Sequence, residues 1–316
     1  MNRPDVDALM TGRLGQWLGE QEAVREKAKT ATNRRRIVVA LVMISLLIVM
    51  NIVAGREFGG TIPIGVLLGG IGLAWAQIPV ARAVKAVKVG INDAIADALD
   101  LTYSHDAEPG RPFALAKACK LLPSYDKASF EDEWSGRFGD IPFTLHEAKL
   151  EERRGSGKSR HWVTTFRGLI MSIGYRRRFH GTTLLVRDNA HRGFFGGKRD
   201  SITVEEMQLD YAEMTHPDFE DRFDIYTTDQ VEARHLIDPL YVERLIALEA
   251  SYRGEDVATI FHEGSLVVTL KTGKIFESGS IHARDDRARI AQTIDQFDRI
   301  AALARELNSR EPLTGA

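Results

Sequence analysis

The apolar positions of this chain concentrate in two uninterrupted blocks near its N-terminus. Residues 37–54 form a block of 18 and residues 61–81 a block of 21, and neither contains a charged side chain. A helix needs roughly 20 apolar residues to cross the hydrocarbon core of a bilayer. The linker between the blocks, residues 55–60, is too short to form a domain. The pattern therefore predicts a transmembrane hairpin of two antiparallel helices, which makes the lipid bilayer an integral partner.

Basic residues flank the hairpin on one side. Six of them precede the first block: Arg25, Lys27, Lys29, Arg34, Arg35 and Arg36. Arg82, Lys85 and Lys88 follow the second block, whereas the linker carries only Arg56. Because basic residues accumulate on the cytosolic side of membrane helices, we expect both chain termini in the cytosol and the linker outside.

Helical apolar spacing continues on both sides of the two blocks. Before the first block, apolar residues recur from Val6 to Leu18 and include Trp17. This segment either lies on the membrane surface or packs against protein, and packing is the favoured alternative. After the second block, a similar stripe predicts a stalk helix. Gly65, Gly69 and Gly72 share one face of the second block, where they would form either the hairpin contact or a contact between copies in a homo-oligomer.

From about residue 101 the apolar period changes from helical to strand-like. Short alternating stretches separated by turn residues predict strands at 134–138, 141–150, 161–175, 182–186, 207–213, 223–227, 257–261 and 266–270. Helices are expected at residues 112–122, 239–251 and 285–308, and a charged loop at 151–160. Strands mostly follow strands, so the fold class is α+β, a mostly antiparallel β-rich cytosolic domain with a C-terminal helix. A strongly bent sheet closed by the C-terminal helix, as in small lipid- or peptide-binding barrels, is an alternative by analogy.

These elements divide the chain into five segments. Residues 1–36 form the N-terminal amphipathic helix and basic flank, residues 37–81 the hairpin, and residues 82–106 the juxtamembrane stalk helix. Residues 107–309 form the cytosolic α+β domain, and residues 310–316 a disordered tail.

Composition and motifs argue against several functions. The formal net charge is −2, and basic residues are not sustained along any face, so no nucleic-acid partner is expected. The single cysteine, Cys119, excludes an internal disulfide bond and is predicted to be a core residue. Residues 155–159 resemble a phosphate-binding loop, but Glu152 stands where that motif requires glycine. No catalytic motif and no pair of metal-ligating histidines at the usual spacing is found, so no catalytic residue, cofactor or metal is predicted.

Two basic loops are candidates for contact with anionic headgroups. The first contains Arg176, Arg177 and Arg178, and the second contains Phe194, Phe195, Lys198 and Arg199. Basic loops with exposed aromatic rings on a tethered domain can bind anionic lipid. The alternative interpretation is that both loops are solvated turns, and the sequence favours this alternative.

A polar cluster joins an apolar strand to a helix at residues 219–234. Asp229 is placed to cap that helix, and Glu232 follows three residues later, as in a capping box. Asp229, Glu232 and Arg234 form either a polar ligand site or a structural network that fixes the strand-to-helix corner. The structural network is the favoured alternative.

This segment resembles a family of bacterial membrane proteins grouped as domain of unknown function 3137. The resemblance depends on Phe219, Glu220, Phe223, Tyr226, residues 229–234 and Pro239, and extends to residues 122–123, 166–169, 181–183 and 276–277. It would cover about residues 107–307. It implies paired membrane helices in a bacterial inner membrane and implies no activity.

The sequence thus predicts a multi-pass membrane anchor with a non-catalytic cytosolic module that binds a protein partner or lipid headgroups. A membrane-bound hydrolase or transferase with a site assembled from dispersed polar residues is the first alternative. An oligomeric channel or transporter component is the second, although the two blocks contain no charged residue of the kind that lines ion pathways.

Overall fold

The computed structural model of the chain describes residues 3–54, 62–175, 179–187, 199–204, 206–213 and 222–308. The chain divides into two compact units. The helical unit comprises Pro4–Ile95 and Glu277–Thr293, and the sheet unit contains Ala96–Phe276 and the chain from Ile294 onward. The linker at residues 55–60 and the tail at residues 310–316 lie outside the described residues.

Three helices open the chain. They are α1 (Val6–Thr11), α2 (Arg13–Ala54) and α3 (Ile62–Leu99). The N-terminal amphipathic segment is broken at Gly12, and its larger part is continuous with the first apolar block in one helix of 42 residues. The stalk helix is the continuation of α3, which passes through Gly90 and ends at Leu99. Residues 102–106 form a strand and not the end of the stalk.

Helices α2 and α3 lie side by side and run antiparallel within the helical unit. A Cβ atom built on Gly72 would lie 2.8 Å from Val39 Cγ1, and one built on Gly69 would lie 3.6 Å from Met43 Cε. Nothing lies within 4 Å of the corresponding position at Gly65. Gly69 and Gly72 therefore face α2. This is the first of the two alternatives for these glycines, a contact within the hairpin.

The N-terminal half of α2 packs against protein. Leu14 and Leu18 are buried, and the Trp17 ring lies against the backbone of α3 at Gly90. In the described part of the chain, one helix is long and apolar enough to cross a membrane, Gly65–Leu99. That both apolar blocks cross a bilayer stays a prediction.

The sheet unit is built on one sheet of ten strands. The strands are β1 (Thr102–Asp106), β2 (Lys127–Phe138), β3 (Ile141–Arg154), β4 (His161–Gly174), β5 (Thr183–Arg187), β6 (Ser201–Val204), β7 (Met207–Tyr211), β8 (Phe223–Thr227), β9 (Glu255–His262) and β10 (Ser265–Lys271). Their order is β1-β2-β3-β4-β10-β9-β5-β8-β7-β6, and every neighbouring pair is antiparallel. The sheet ends at β1 and β6, so the described strands do not close into a barrel, and a strong bend of the sheet stays a prediction.

The described residues contain four further helices. They are α4 (Arg111–Ala118), α5 (Gln230–Leu236), α6 (Pro239–Ser251) and α7 (Asp286–Asn308). The predicted α+β class with a large antiparallel sheet and a C-terminal helix is confirmed. Residues 151–154, predicted as loop, continue β3, because they pair with β4 as far as Arg154 and His161.

Both faces of the sheet are covered. On one face, Phe166 and Ile170 of β4 belong to a core cluster with Phe113 and Ala116 of α4 and Cys119. On the other face, Trp134 contacts Phe297 of α7 with ring centroids 4.3 Å apart. Strand β4 is therefore buried on both faces around Ile170, where Leu169, Ile170 and Met171 are all buried.

Strand β3 carries two adjacent buried polar residues on opposite faces. The carboxylate of Glu147 accepts hydrogen bonds from the backbone N–H groups of Ile275 and Phe276 at 3.0 and 2.9 Å. His146 packs edge-on against Phe130. Burial lowers the pKa of His146 to about 4 from its ordinary value of 6.5, so this imidazole is neutral at pH 7.

We predict that replacing Gly90 by alanine destabilises the helical unit. The added Cβ would lie 2.2 Å from the Trp17 ring, and overpacking of this kind costs about 1–3 kcal/mol. Gly19 is a matched control, because nothing lies within 4 Å of its Cβ position. Gly19→Ala should be neutral or stabilise by up to about 1 kcal/mol through helix propensity. Thermal unfolding of both full-length variants in detergent measures the difference, and equal shifts would contradict the Trp17–Gly90 contact.

We also predict that His146 makes the sheet unit less stable in acid. The folded-state pKa lies below the unfolded value, so the unfolded chain binds the extra proton. The stability due to neutral His146 is complete above pH 6.5 and is lost as the pH falls towards 4, by about 3 kcal/mol at most. His146→Leu should lose less stability than the parent protein between pH 7 and pH 4.5, as followed by chemical denaturation. Parallel losses in the two proteins would show that His146 is not the titrating group.

Candidate functional site

The strand-to-helix corner between β8 and α5 is fixed by its own side chains. Asp229 caps α5, because its carboxylate accepts hydrogen bonds from the backbone N–H groups of Val231 and Glu232, both at 2.9 Å. The Thr227 hydroxyl donates to the backbone oxygen of Asp229 at 3.0 Å. The sequence pattern predicted this cap, because an aspartate before a helix start is placed to accept from the first free N–H groups.

The carboxylate of Glu232 binds a distant segment of the chain. It accepts the backbone N–H of His180 at 2.9 Å and that of Gly181 at 2.6 Å. A Cβ atom at Gly181 would lie 2.7 Å from Glu232 Oε2, so a side chain at this position would force the carboxylate to shift. In the usual capping box this carboxylate would bond to the N-cap N–H. Here Thr227 Oγ1 accepts the Asp229 N–H at 3.1 Å.

Threonine hydroxyls extend the network between the two segments. Thr228 Oγ1 accepts the backbone N–H of Thr182 at 2.9 Å. The Thr182 hydroxyl lies 2.9 Å from His262 Nδ1, and the hydroxyls of Thr183 and Thr227 are 2.9 Å apart. The family resemblance included residues 181–183, but the contacts of these hydroxyls were not predicted, because hydroxyl pairs between strands leave no local pattern.

The corner brings together two of the three predicted residues. Asp229 and Glu232 lie at the start of α5, whereas Arg234 is exposed in its last turn. Both carboxylates accept main-chain N–H groups: that of Asp229 caps α5, and that of Glu232 ties residues 180–181 to α5. This geometry suits a structural role, while the assignment as ligand site or network stays a prediction.

The candidate headgroup loops lie mostly outside the described residues. Arg176, Arg177, Arg178, Phe194, Phe195 and Lys198 are not described, and Arg199 is exposed. Within the described part of the chain, no group of three or more histidine, cysteine, aspartate or glutamate side chains is placed to hold a metal ion.

A buried ion pair holds the helical unit together. Arg25 of α2 and Asp286 at the start of α7 form two hydrogen bonds, each 2.8 Å long, and both residues are only 1% exposed. Burial raises the pKa of Asp286, and the hydrogen bonds from Arg25 oppose that rise. The sequence analysis used Arg25 only as one of the basic residues that indicate the cytosolic side, and it did not identify Asp286.

A second polar contact lies on α3. Lys88 Nζ is 3.0 Å from Glu277, and the Ser278 hydroxyl donates to Asn92 Oδ1 at 2.6 Å. Lys88 and Asn92 are 4% and 0% exposed. A stretch of chain that follows the sheet strands, residues 277–286, is therefore bound to both long helices of the helical unit through buried charged and polar groups.

A groove opens along α2 where its apolar block begins. It has a volume of about 720 Å³ and is lined by Glu26, Lys27, Thr30, Ala31, Arg34, Arg35, Val38 and Trp75. The Arg35 guanidinium lies 4.5 Å above the centre of the Trp75 ring and donates to the Trp75 backbone oxygen at 3.1 Å. We call these residues the juxtamembrane groove. Sequence reasoning missed it, because Trp75 comes from the neighbouring helix.

We predict that the Glu232 carboxylate stabilises the corner. Glu232→Gln keeps the shape but offers one acceptor oxygen for two N–H donors, which should cost about 1–2 kcal/mol. Arg234→Gln, an exposed change in the same helix, should stay within about 0.5 kcal/mol of the parent. Thermal unfolding of the two variants provides the measurement. If Glu232→Gln is as stable as Arg234→Gln, the carboxylate is not needed for the corner.

Comparison with known proteins finds a family whose model matches part of the chain. Residues 164–309 match the model of the family described as "Protein of unknown function (DUF3137)". The match begins at residue 164, whereas the resemblance was expected from about residue 107. No curated protein sequence matches the chain.

One solved structure is similar to the chain. It is the crystal structure of the mycobacterial trehalose monomycolate transport factor A, TtfA, with 10% sequence identity and a TM-score of 0.32. The alignment covers 71% of this chain and 96% of that chain. A similarity of this size supports no conclusion about fold or function. The predicted resemblance is confirmed by this family match, in which residues 164–309 fit the model of the family of unknown function DUF3137.

Proposed function

We propose that this chain is a membrane-anchored scaffold without catalytic activity, whose cytosolic part binds lipid headgroups or a protein partner. In this proposal, the two apolar blocks at residues 37–54 and 61–81 cross a bacterial inner membrane as an antiparallel hairpin. Both chain termini lie on the cytosolic side.

The observation that supports the anchor is the uneven exposure of α2 and α3. Among the described residues, 15 of the 19 exposed large hydrophobic side chains fall within residues 37–52 and 66–75. Leu41, Ile48 and Ile52 of α2 are 59%, 56% and 75% exposed, and Val66 of α3 is 70% exposed. Burying a side chain of this size is worth about 1.5–3 kcal/mol, so hydrocarbon is a far better solvent for these segments than water.

Outside the apolar blocks, α2 and α3 carry charged side chains that are buried in contacts with protein. Arg25 of α2 and Lys88 of α3 are buried in contacts with Asp286 and Glu277. Charged groups in these helices thus fall at one end of the hairpin and exposed apolar groups at the other. Basic residues near the charged end favour a cytosolic location for it.

Catalysis has less support from the candidate site. A general acid, base or nucleophile needs a carboxylate that is available to a substrate. The carboxylates of Asp229 and Glu232 instead accept backbone N–H groups, and Arg234 lies at the other end of α5. The scaffold is therefore the preferred function over a hydrolase or transferase.

Cysteine labelling in intact cells tests the hairpin. In a Cys119→Ala background, Phe58→Cys in the linker should react with a membrane-impermeant maleimide added outside the cells. Lys27→Cys, on the cytosolic side of the same hairpin, should react only after the cells are opened. Labelling of Lys27→Cys in intact cells, or of Phe58→Cys only after lysis, would contradict the proposed topology. Release of the protein by carbonate extraction would contradict the anchor itself.

A further inference from the structure

We propose that the juxtamembrane groove binds the headgroup of an anionic phospholipid from the cytosolic leaflet. This inference rests on the proposed membrane anchor and names the ligand that the scaffold recognises. The groove lies on α2 directly before residues 37–54, which is the depth of the phosphate groups if that segment crosses the bilayer.

The side chains of the groove follow one face of α2. Five of them recur at steps of three or four residues, or at about two helical turns, so their side chains point the same way. They are Lys27, Thr30, Ala31, Arg34 and Val38. Lys27 and Arg34 supply cations at two levels, and the Thr30 hydroxyl lies between them. Ala31 is small and leaves room for a ligand group. A phosphate between Lys27 and Arg34 would receive several charge-assisted hydrogen bonds.

The charges of the groove favour an anion. Lys27 and Arg34 form no ion pair within the described part of the chain, and Arg34 is exposed. The acidic residue of the groove, Glu26, is engaged by Lys29 at 2.6 Å. Arg35 is held over the Trp75 ring, where the cation–π contact and the hydrogen bond to the backbone fix its guanidinium. Two unpaired cations and one oriented cation thus face a ligand-sized space.

The apolar end of the groove favours a lipid over a soluble phosphate compound. Val38 lines the groove, and Leu41 and Val42 continue the same face of α2 at 59% exposure each. An acyl chain attached to a headgroup in the groove could lie along this stripe. Trp75 is 45% exposed, which suits an indole ring at the boundary between headgroups and hydrocarbon.

The alternative explanation is a general attraction between basic residues and an anionic surface. That attraction depends on charge and distance from the membrane and not on a particular groove. Arg36 separates the two explanations, because it neighbours Arg34 and Arg35, is exposed and does not line the groove. A groove requires Arg34 and tolerates loss of Arg36, whereas surface attraction treats the two arginines alike.

Native mass spectrometry of the full-length protein in a neutral detergent tests the groove. The protein is titrated with phosphatidylglycerol and, in parallel, with phosphatidylcholine. We expect preferential binding of phosphatidylglycerol, with affinity reduced about fivefold or more by Arg34→Gln or Lys27→Gln. Arg34→Lys should retain most of the affinity, and the control Arg36→Gln should change it by less than about twofold.

A steric variant tests the space independently of charge. Thr30→Phe places a ring in the groove and leaves every cation in position, so it should also weaken phosphatidylglycerol binding. Thr30 is exposed, so the unfolding temperature should not fall. Equal loss from Arg34→Gln and Arg36→Gln, no preference for phosphatidylglycerol, or full binding by Thr30→Phe would overturn the groove.

Failure of the groove is distinguishable from failure of the anchor. If the groove is wrong but the anchor is right, every variant stays in the carbonate-resistant membrane fraction while lipid selectivity is absent. Inorganic phosphate and a soluble headgroup analogue are each added as competitors of the bound lipid. If the two displace the lipid equally well, the site recognises phosphate alone, which also contradicts a phospholipid site.

Discussion

The organisation of this protein depends on which solvent surrounds the exposed apolar side chains of α2 and α3. Among the side chains that the structure describes, nine of these fall within residues 37–52 of α2 and six within residues 66–75 of α3. Each is worth about 1.5–3 kcal/mol when it is fully moved from water into an apolar environment, so together they favour hydrocarbon by an amount comparable to the about 5–15 kcal/mol that stabilises a whole domain. We propose that a bilayer is their solvent. The cytosolic location of the charged ends and the lipid ligand of the groove follow from that proposal.

The buried charged groups of the helical unit have a different role. Removing Arg25 and Asp286 from water carries a desolvation cost, which their two hydrogen bonds offset only because the geometry is good. Such pairs contribute little net stability, but loss of one partner leaves a buried charge uncompensated. Together with the contact between Lys88 and Glu277, this pair specifies where residues 277–286 bind on the helices. We infer that these contacts select one arrangement of the helical unit.

The sequence predicted the parts of the fold that local patterns determine. Strand β8 and helix α6 have the predicted bounds, because alternation and a proline at the helix start mark them. Strands β1 and β6 were missed. Both lie at the edges of the sheet, where only one neighbouring strand pairs with them and the outward residues stay polar. Such short edge strands carry little of the alternation that identifies a buried strand.

The candidate site was less predictable, because its contacts join residues that are far apart in the chain. The cap by Asp229 is local and was predicted. The bond from Gly181 to Glu232 spans 51 positions, and the stacking of Arg35 on Trp75 spans 40. No periodicity reports such pairings, and Arg25 gave the same sequence signal as the exposed basic residues around it. Arg25 is buried and Arg34 is exposed, and this difference depends on the neighbours that folding brings to each position.

Spin-label accessibility in a reconstituted bilayer tests the central claim most directly. Labels at Ile44 and Leu68 report on the exposed apolar segments, and labels at Lys27 and Arg82 report on the charged ends of the same helices. The account predicts that Ile44 and Leu68 are accessible to oxygen and protected from a water-soluble nickel chelate, with the reverse at Lys27 and Arg82. Equal access of the chelate to all four positions would place these segments in water and contradict the account.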